Sequence, residues 1–319
     1  MTVINTNTSS MIARDAIQRN DRAMSTAMER LSTGSRINTA KDDAAGLAIS
    51  ERMSAQVSGL NMAARNANDA ISMLQTVDGA ASEISNMLGR MRELAVQSVS
   101  GTYTSTDRTA LDLEFGALME EIQDIAERTE WNGNSIMDDS YSSSGTGTAD
   151  DDMLQVQLGA EASQTMNIQI KDWRPTLSVD ANQADEEAAG DGVDSVLSAY
   201  KHSGSGNSAL VHNGGAESDR IKINTAAAAA VAITNISNAI DAAAAERAQY
   251  GAYISRLQHA ADNLQNVSTN TSASLSRIAD ADYATETTEL ARTQIISQAS
   301  TAMLAQANQV KQTVLSLLQ

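Results

Sequence analysis

The sequence predicts a mainly α protein: a long antiparallel helical rod or coiled coil formed by the N- and C-terminal segments, with a small β-containing central insertion. Three observations predict it. Apolar residues recur at every seventh position near both chain ends, the spacing of a helix seam that needs a partner helix. Aromatics make up only 3% of the residues although hydrophobics make up 42%, so burial must come from thin helix-on-helix packing. The alternation that marks a strand is confined to short runs in the middle of the chain.

Taken in order, small polar residues up to about Ser10 give way to Ile17, Met24 and Leu31, a seam with Ala13 and Ala27 alongside that Gly34 interrupts. Ile37 to Gly46 reads as a connector, in which Asp42 and Asp43 suit a helix start because carboxylates answer its unpaired amides and dipole. A long helix follows. Met53, Leu60, Ala67 and Leu74 form one row, and Val57, Ala64 and Ile71 the other. The pattern changes phase near Gly79, resumes through Ile84, Met87, Leu88, Met91, Leu94 and Ala95, and ends at Gly101 and Thr102. Roughly fifty residues at 1.5 Å each would make a rod about 75 Å long. The next helix is capped within Ser105-Thr106-Asp107 and carries Leu111, Leu118 and Ile125 in one row, Phe115 and Ile122 in the other. Asn132-Gly133 signals a hairpin turn.

From Met137 the character changes. Asp138 to Asp152 is rich in Ser, Gly, Thr and Asp, while Leu154 to Leu158 and Met166 to Ile170 alternate as strands do. Helical periodicity returns near Thr225, with Ile236, Ala243, Tyr250, Leu257 and Leu264 in one row and Ile233, Ile240, Ile254 and Ala261 in the other, running to about Leu275. The final segment from Thr293 carries a single charge, Lys311. Ile296, Met303, Val310 and Leu317 form its first row, Ala307 and Val314 its second, and Leu304 and Leu318 widen the face. An apolar stripe left in water gives up its burial energy, so this tail is built to be covered. The predicted layout is nested: 1–43 with 276–319 as a terminal coiled coil, 44–140 with 225–275 as a helical rod carrying the hairpin, and 141–224 as an exposed insertion.

Composition excludes several function classes. A net charge of −18 opposes binding to nucleic acid or an anionic membrane surface. No apolar run approaches the ~20 residues of a bilayer span, so no membrane insertion is expected. Cysteine is absent, and His202, His212 and His259 are far apart with no metal-ligand spacing. There is no nucleophile elbow and no phosphate loop, and Asp150-Asp151-Asp152 lacks the alternating ligands of a calcium loop. The chain reads as no enzyme, with no cofactor. Its start lacks a basic and apolar leader, so export, if it occurs, is expected to leave this end uncut.

Several stretches carry a family likeness. Leu31 to Ile49, reading LSTGSRINTAKDDAAGLAI, and Met91 to Ser98, reading MRELAVQS, resemble the N-terminal signature of bacterial flagellins. Ser276 to Glu286, reading SRIADADYATE, and Leu304 to Gln309, reading LAQANQ, resemble the C-terminal one. The resemblance covers about the first 140 and last 95 residues. It implies a subunit that self-assembles into the flagellar filament and gives motility. The inner coil, outer rod and variable surface domain would match the nested layout. It further implies export in the unfolded state by the flagellar type III system, an extracellular location, and partnership with itself, an export chaperone, and the filament cap and hook-junction proteins. Arg90, Leu94 and Glu114 match positions that the animal innate immune receptor for flagellin reads; a rod-bundle role for Leu94 and an ion pair between Arg90 and Glu114 are the simpler expectation. Family members commonly carry Pro where this chain has Lys311, which leaves its last helix unbroken. A hook–filament junction protein is the alternative, disfavoured by the C-terminal motif.

Overall fold

The computed structural model describes residues 8–137, 153–175, 196–197 and 221–316. The predicted mainly α architecture is observed. The elements are α1 (Thr8–Thr33), α2 (Ala44–Val99), α3 (Ser105–Arg128), β1 (Glu130–Trp131), β2 (Asn134–Ser135), β3 (Met153–Gln157), β4 (Thr165–Gln169), α4 (Ala226–Ala279) and α5 (Tyr283–Ser316). The loop 138–152, His202, His212, Leu317 and Leu318 lie outside the described residues. The chain divides into two compact units, one of Met1–Ser58 with Val267–Gln319 and the other of Gly59–Asn266.

α2 is a single helix of 56 residues over its whole span, and Gly79 does not interrupt its seam. Leu60, Ala63, Ala67, Ala70, Leu74, Val77, Ala81, Ile84, Leu88, Met91 and Ala95 are all buried. Their steps of three and four keep one heptad phase, whereas Gly79 is exposed on another face. The second row is therefore not Val57, Ala64 and Ile71, which are half-buried. It is the row one residue earlier, which begins with alanines. These small side chains are buried, and Ile71 beside them packs against the core from the side.

The same displacement recurs on α4 and α3. On α4 the row Ile236, Ala243, Tyr250, Leu257 and Leu264 is buried as predicted. Its companion is Ala232, Ala239 and Glu246, with Ile233, Ile240, Ile254 and Ala261 packed against the core from the side. On α3, Phe115 and Ile122 are fully buried as predicted, joined by Asp112, Met119 and Ala126, while Leu111, Leu118 and Ile125 flank them. One 18-residue window of α4 reaches a mean hydropathy of 1.2, enough by length and composition to cross a bilayer; the buried face of this alanine-rich helix belongs to the protein core.

The start of α3 differs by one step from the sequence reading. Its N-cap is Thr104, whose hydroxyl accepts from the Asp107 amide while the Asp107 carboxylate accepts from the Thr104 amide, a reciprocal capping box. These bonds hold the Asp107 carboxyl below its ordinary pKa, the Thr104 amide contributing most. At the other end of α2, Arg108 donates to the Ser98 and Ser100 carbonyls at 2.7 and 3.0 Å, satisfying helix-end acceptors. The Ile223 amide donates to buried Asp112 at 2.7 Å, and the Ser98 hydroxyl donates to the Ile223 carbonyl. One residue ahead of α4 is thus fixed to both earlier helices.

β1 and β2 pair antiparallel across Asn132 and Gly133, whose φ values of 53° and 79° are the paired left-handed conformations of a type I′ turn. β3 and β4 form the second hairpin, with Leu154 opposite Ile168 and Val156 opposite Met166. This hairpin is not an exposed appendage. Val156, Met166, Ile168, Trp173, Val196 and Leu197 are buried in the same cluster as Phe115, Met137 and Tyr250, so residues placed by sequence in the exposed insertion help build the rod core. Trp173 is fully buried, and its indole N–H donates to the Tyr250 hydroxyl at 3.0 Å.

Candidate assembly surface on the paired terminal helices

The first unit joins the two ends of the chain. α1 lies antiparallel against α5: Asn20 Nδ2 donates to the Thr293 carbonyl at 2.7 Å, Arg30 pairs with Glu286 at 3.0 Å, and Ser35 bridges to Asp280. Each step forward along α1 therefore meets a step back along α5. α1 stops where Gly34 adopts φ 72°, a left-handed conformation that only glycine takes at no steric cost. Beyond it the chain stays tied, because Arg36 donates from its backbone to the Ala279 carbonyl and from its guanidinium to the Ile278 carbonyl.

Asp42 and Asp43 divide the work predicted for them. Asp43 caps α2 by accepting from the Gly46 amide at 2.8 Å. Asp42 instead closes the preceding loop, accepting from the Asn38 and Thr39 amides and the Thr39 hydroxyl, and the Thr39 amide holds its carboxyl below the ordinary range. Asp282 caps α5 through the Ala284 and Thr285 amides and the Thr285 hydroxyl. It is lowered in the same way, most by the Thr285 side chain.

The side chains that meet across α1 and α5 are not the predicted apolar rows. The buried positions are Asn20 and Ala27 on α1 and Glu286 and Thr293 on α5. Glu286, Thr293, Ser300 and Ala307 are spaced by seven, so the α5 row facing α1 is polar in its first half. Ile17, Met24 and Leu31 are half-buried. Ile296 is 37% exposed and Met303 69% exposed. Met303 stands one residue ahead of half-buried Leu304 and is turned off the α1 contact, while Ile296, one residue ahead of half-buried Ser297, lines the groove beside α1. The side chain of Val310 lies outside the described residues. Met11, Ile12, Met28 and Ile295 are also exposed on this pair.

The pair is therefore zipped by a polar register and carries its larger apolar side chains outward. Between the helices runs a groove of about 450 Å³, lined by Ile12, Ala16, Ala23 and Ile296 together with the charged Asp15, Arg19, Glu289 and Arg292. Sequence reasoning missed Asn20, Thr293, Arg30 and Glu286. The available signal was that Asn20 falls midway in the Ala13–Ala27 row, where a single polar seam residue sets register.

On α2, Arg90 reaches Glu114 of α3 at 2.8 Å and Glu93 of its own helix at 3.0 Å, the three side chains 47–71% exposed, while Leu94 is 1% exposed. His259 lies on α4 and is exposed. Among the described residues no cluster of three metal-ligating side chains occurs.

A helical chain that pairs its own two ends and presents apolar flanks on that pair has the build of a structural assembly subunit. The family model of the bacterial flagellin N-terminal helical region matches residues 4–142, and that of the C-terminal helical region matches residues 233–318. Flagellin B of Vibrio cholerae serotype O1 is 36% identical over 371 residues, covering 99% of either chain. Flagellin D of Vibrio anguillarum is 35% identical over 372 residues with the same coverage. The crystal structure of Bacillus cereus flagellin is similar over 66% of this chain and 94% of its own, at 31% identity and a TM-score of 0.44. This chain belongs to the bacterial flagellins, a family of flagellar filament subunits.

Proposed function

We propose that this subunit self-assembles into the filament by burying the apolar flanks of the α1–α5 pair between neighbouring copies, and that the filament gives motility. One observation carries the proposal. The rod core buries its large side chains almost completely, whereas the terminal pair contacts itself through Asn20, Thr293, Arg30 and Glu286 and leaves Ile12, Ile295 and Met303 two-thirds exposed. α5 also bears apolar residues on more than one side, and a helix apolar on several sides is built to be covered on several sides. Ile17, Met24, Leu31, Ile296, Met303, Val310 and Leu317 are the seam we assign to assembly.

In this reading 1–43 with 276–319 form the inner coil, 44–140 with 225–275 the rod domain, and 141–224 the variable surface domain, whose hairpin and Trp173 also pack into the rod core. The chain is exported unfolded through the flagellar type III channel, held before export by a chaperone on its C-terminal segment. It is added outside the cell beneath the filament cap, above the hook-junction proteins. Its role is mechanical and needs no cofactor.

Seeded growth tests the proposal. Purified subunit mixed with sheared filament ends and viewed by negative-stain electron microscopy is expected to give long tubular filaments. Growth that adds a short zone and stops would replace this reading with the hook–filament junction protein. The absence of any growth would overturn self-assembly.

Recognition by the animal innate receptor is proposed at Arg90, Leu94 and Glu114. The Arg90–Glu114 pair is accessible on the surface, while buried Leu94 acts by holding α2 in place. An Arg90→Ala monomer is expected to signal more weakly, by roughly tenfold for the loss of a charge-assisted contact. Signalling at wild-type strength would remove the assignment.

A further inference from the structure

We infer that Met11, Met28 and Met303 make the assembly surface an oxidation-sensitive site, at which peroxide converts the free subunit to a form that does not polymerise. The inference rests on the assembly reading above.

The described methionines range from fully shielded to largely exposed, with Met24, Met53 and Met87 half-buried between the extremes. Met73, Met91, Met119 and Met137 sit in the rod core at 2% exposure or less. On the terminal pair, Met11 is 58%, Met28 55% and Met303 69% exposed. The α1–α5 register, with Asn20 opposite Thr293 and Arg30 opposite Glu286, puts Met11 and Met303 at the same level of the pair. The chain contains no cysteine, so no thiol competes for a two-electron oxidant. Exposed thioethers are then the most accessible sulfur in the protein.

The chemistry is an oxygen transfer. The thioether sulfur attacks one oxygen of hydrogen peroxide, the O–O bond breaks, and the second oxygen leaves as water. Sulfur is oxidised to methionine sulfoxide and the peroxide is reduced. A dithiol-dependent sulfoxide reductase reverses the change, forming a disulfide and water. The product matters because of where it sits. A flexible apolar side chain suited to filling an irregular joint becomes a polar group whose oxygen needs a hydrogen-bond donor. Buried between apolar flanks it would lack one. The core methionines are shielded, so the rod stays folded while the assembly surface changes.

The experiment treats the full-length subunit with hydrogen peroxide and maps sulfoxides by peptide mass spectrometry. Oxidation is expected at Met11, Met28, Met303 and the exposed Met62, with the four core methionines unchanged. Seeded growth of the oxidised subunit should slow by at least about tenfold, the loss expected from one methionine no longer burying favourably. Methionine sulfoxide reductases should restore it. The triple variant M11L/M28L/M303L, which retains Met62, is compared only with itself before and after peroxide, and its growth rate should not change. Wild-type subunit shown to be oxidised at the three positions yet growing at its original rate would overturn the inference. So would slowed growth that the reductases do not restore, or a triple variant still slowed by peroxide. If the triple variant does not grow at all, the reductase arm on the wild type decides alone. Failure of untreated wild type to extend seeds would instead count against the assembly reading itself.

Discussion

Deletion of residues 310–319 is expected to abolish filament growth while the rod core remains folded. α5 continues as helix to Ser316, past the level at which α1 begins, given the antiparallel register fixed at Asn20–Thr293 and Arg30–Glu286. The deleted segment contains Val310, Val314, Leu317 and Leu318 with one charge, Lys311. Full burial of four such side chains between subunits is worth about 6–12 kcal/mol as an upper figure. That corresponds to roughly ten-thousand-fold or more in the association constant of each added subunit. The described rod core draws on α2, α3, α4 and the β3–β4 hairpin. Seeded electron microscopy should show no extension, and calorimetry of the truncated monomer should show the core transition at its usual temperature. Filaments of normal length from the truncated chain would show that the tail seam is dispensable.

Much of the fold could be read from the sequence because heptad spacing constrains one dimension strongly. Both terminal helices, the long α2 and α4, the strand alternation and the Asn132–Gly133 turn are all visible in local patterns. What escaped was lateral placement within a seam. A row built from Ala63 and Ala70, or Ala232 and Ala239, gives a weaker apolar signal than the row of Ile71 or Ile233 and Ile240 one residue away. Yet the smaller side chains are the buried ones, and the larger aliphatics flank them. The same bias put Ile296 and Met303 at the α1–α5 joint, where polar Glu286 and Thr293 stand instead. Polar side chains at a seam look like interruptions in a sequence; Glu286 becomes a register pin only when Arg30 is brought opposite it, and Asn20 only when it reaches the Thr293 carbonyl. The cap at Thr104 rather than Ser105 is a shift of one residue among adjacent hydroxyl side chains, which propensity alone does not separate. The strap that carries Trp173 gave no periodic signal. Its contact with Tyr250 spans 77 residues of sequence and exists only once α4 and the hairpin have been placed together.

That contact leads to the largest expected loss of stability. Trp173→Ala should destabilise the rod core by about 3–5 kcal/mol, as removal of a fully buried large aromatic does. The ring lies 6.4 Å from that of Tyr250, centroid to centroid, at 42°. Trp173 also donates its backbone amide to the Met137 carbonyl at 2.9 Å. Its neighbours in sequence are anchored too: Lys171 pairs with Glu246 at 2.6 Å, and buried Asp172 accepts from Arg174 at 2.9 Å. Trp173→Ala therefore leaves a cavity in a segment that its flanks hold in place, so the site cannot collapse to fill it. Tyr250→Phe separates polarity from volume. It keeps the ring and strands the indole N–H, for a cost of about 1–3 kcal/mol. It also changes the response to pH. Burial pushes the Tyr250 phenol well above its ordinary value, so above about pH 10 the unfolded chain ionises while the folded phenol remains neutral. Stability falls as pH rises through that unfolded value. Urea unfolding at pH 7 and at pH 11 should show a steeper alkaline loss in the wild type than in Tyr250→Phe; equal losses would mean that Tyr250 is not the group responsible. Neither substitution touches a residue that joins α1 to α5, so both variants should still extend filament seeds at temperatures below their lowered unfolding midpoints.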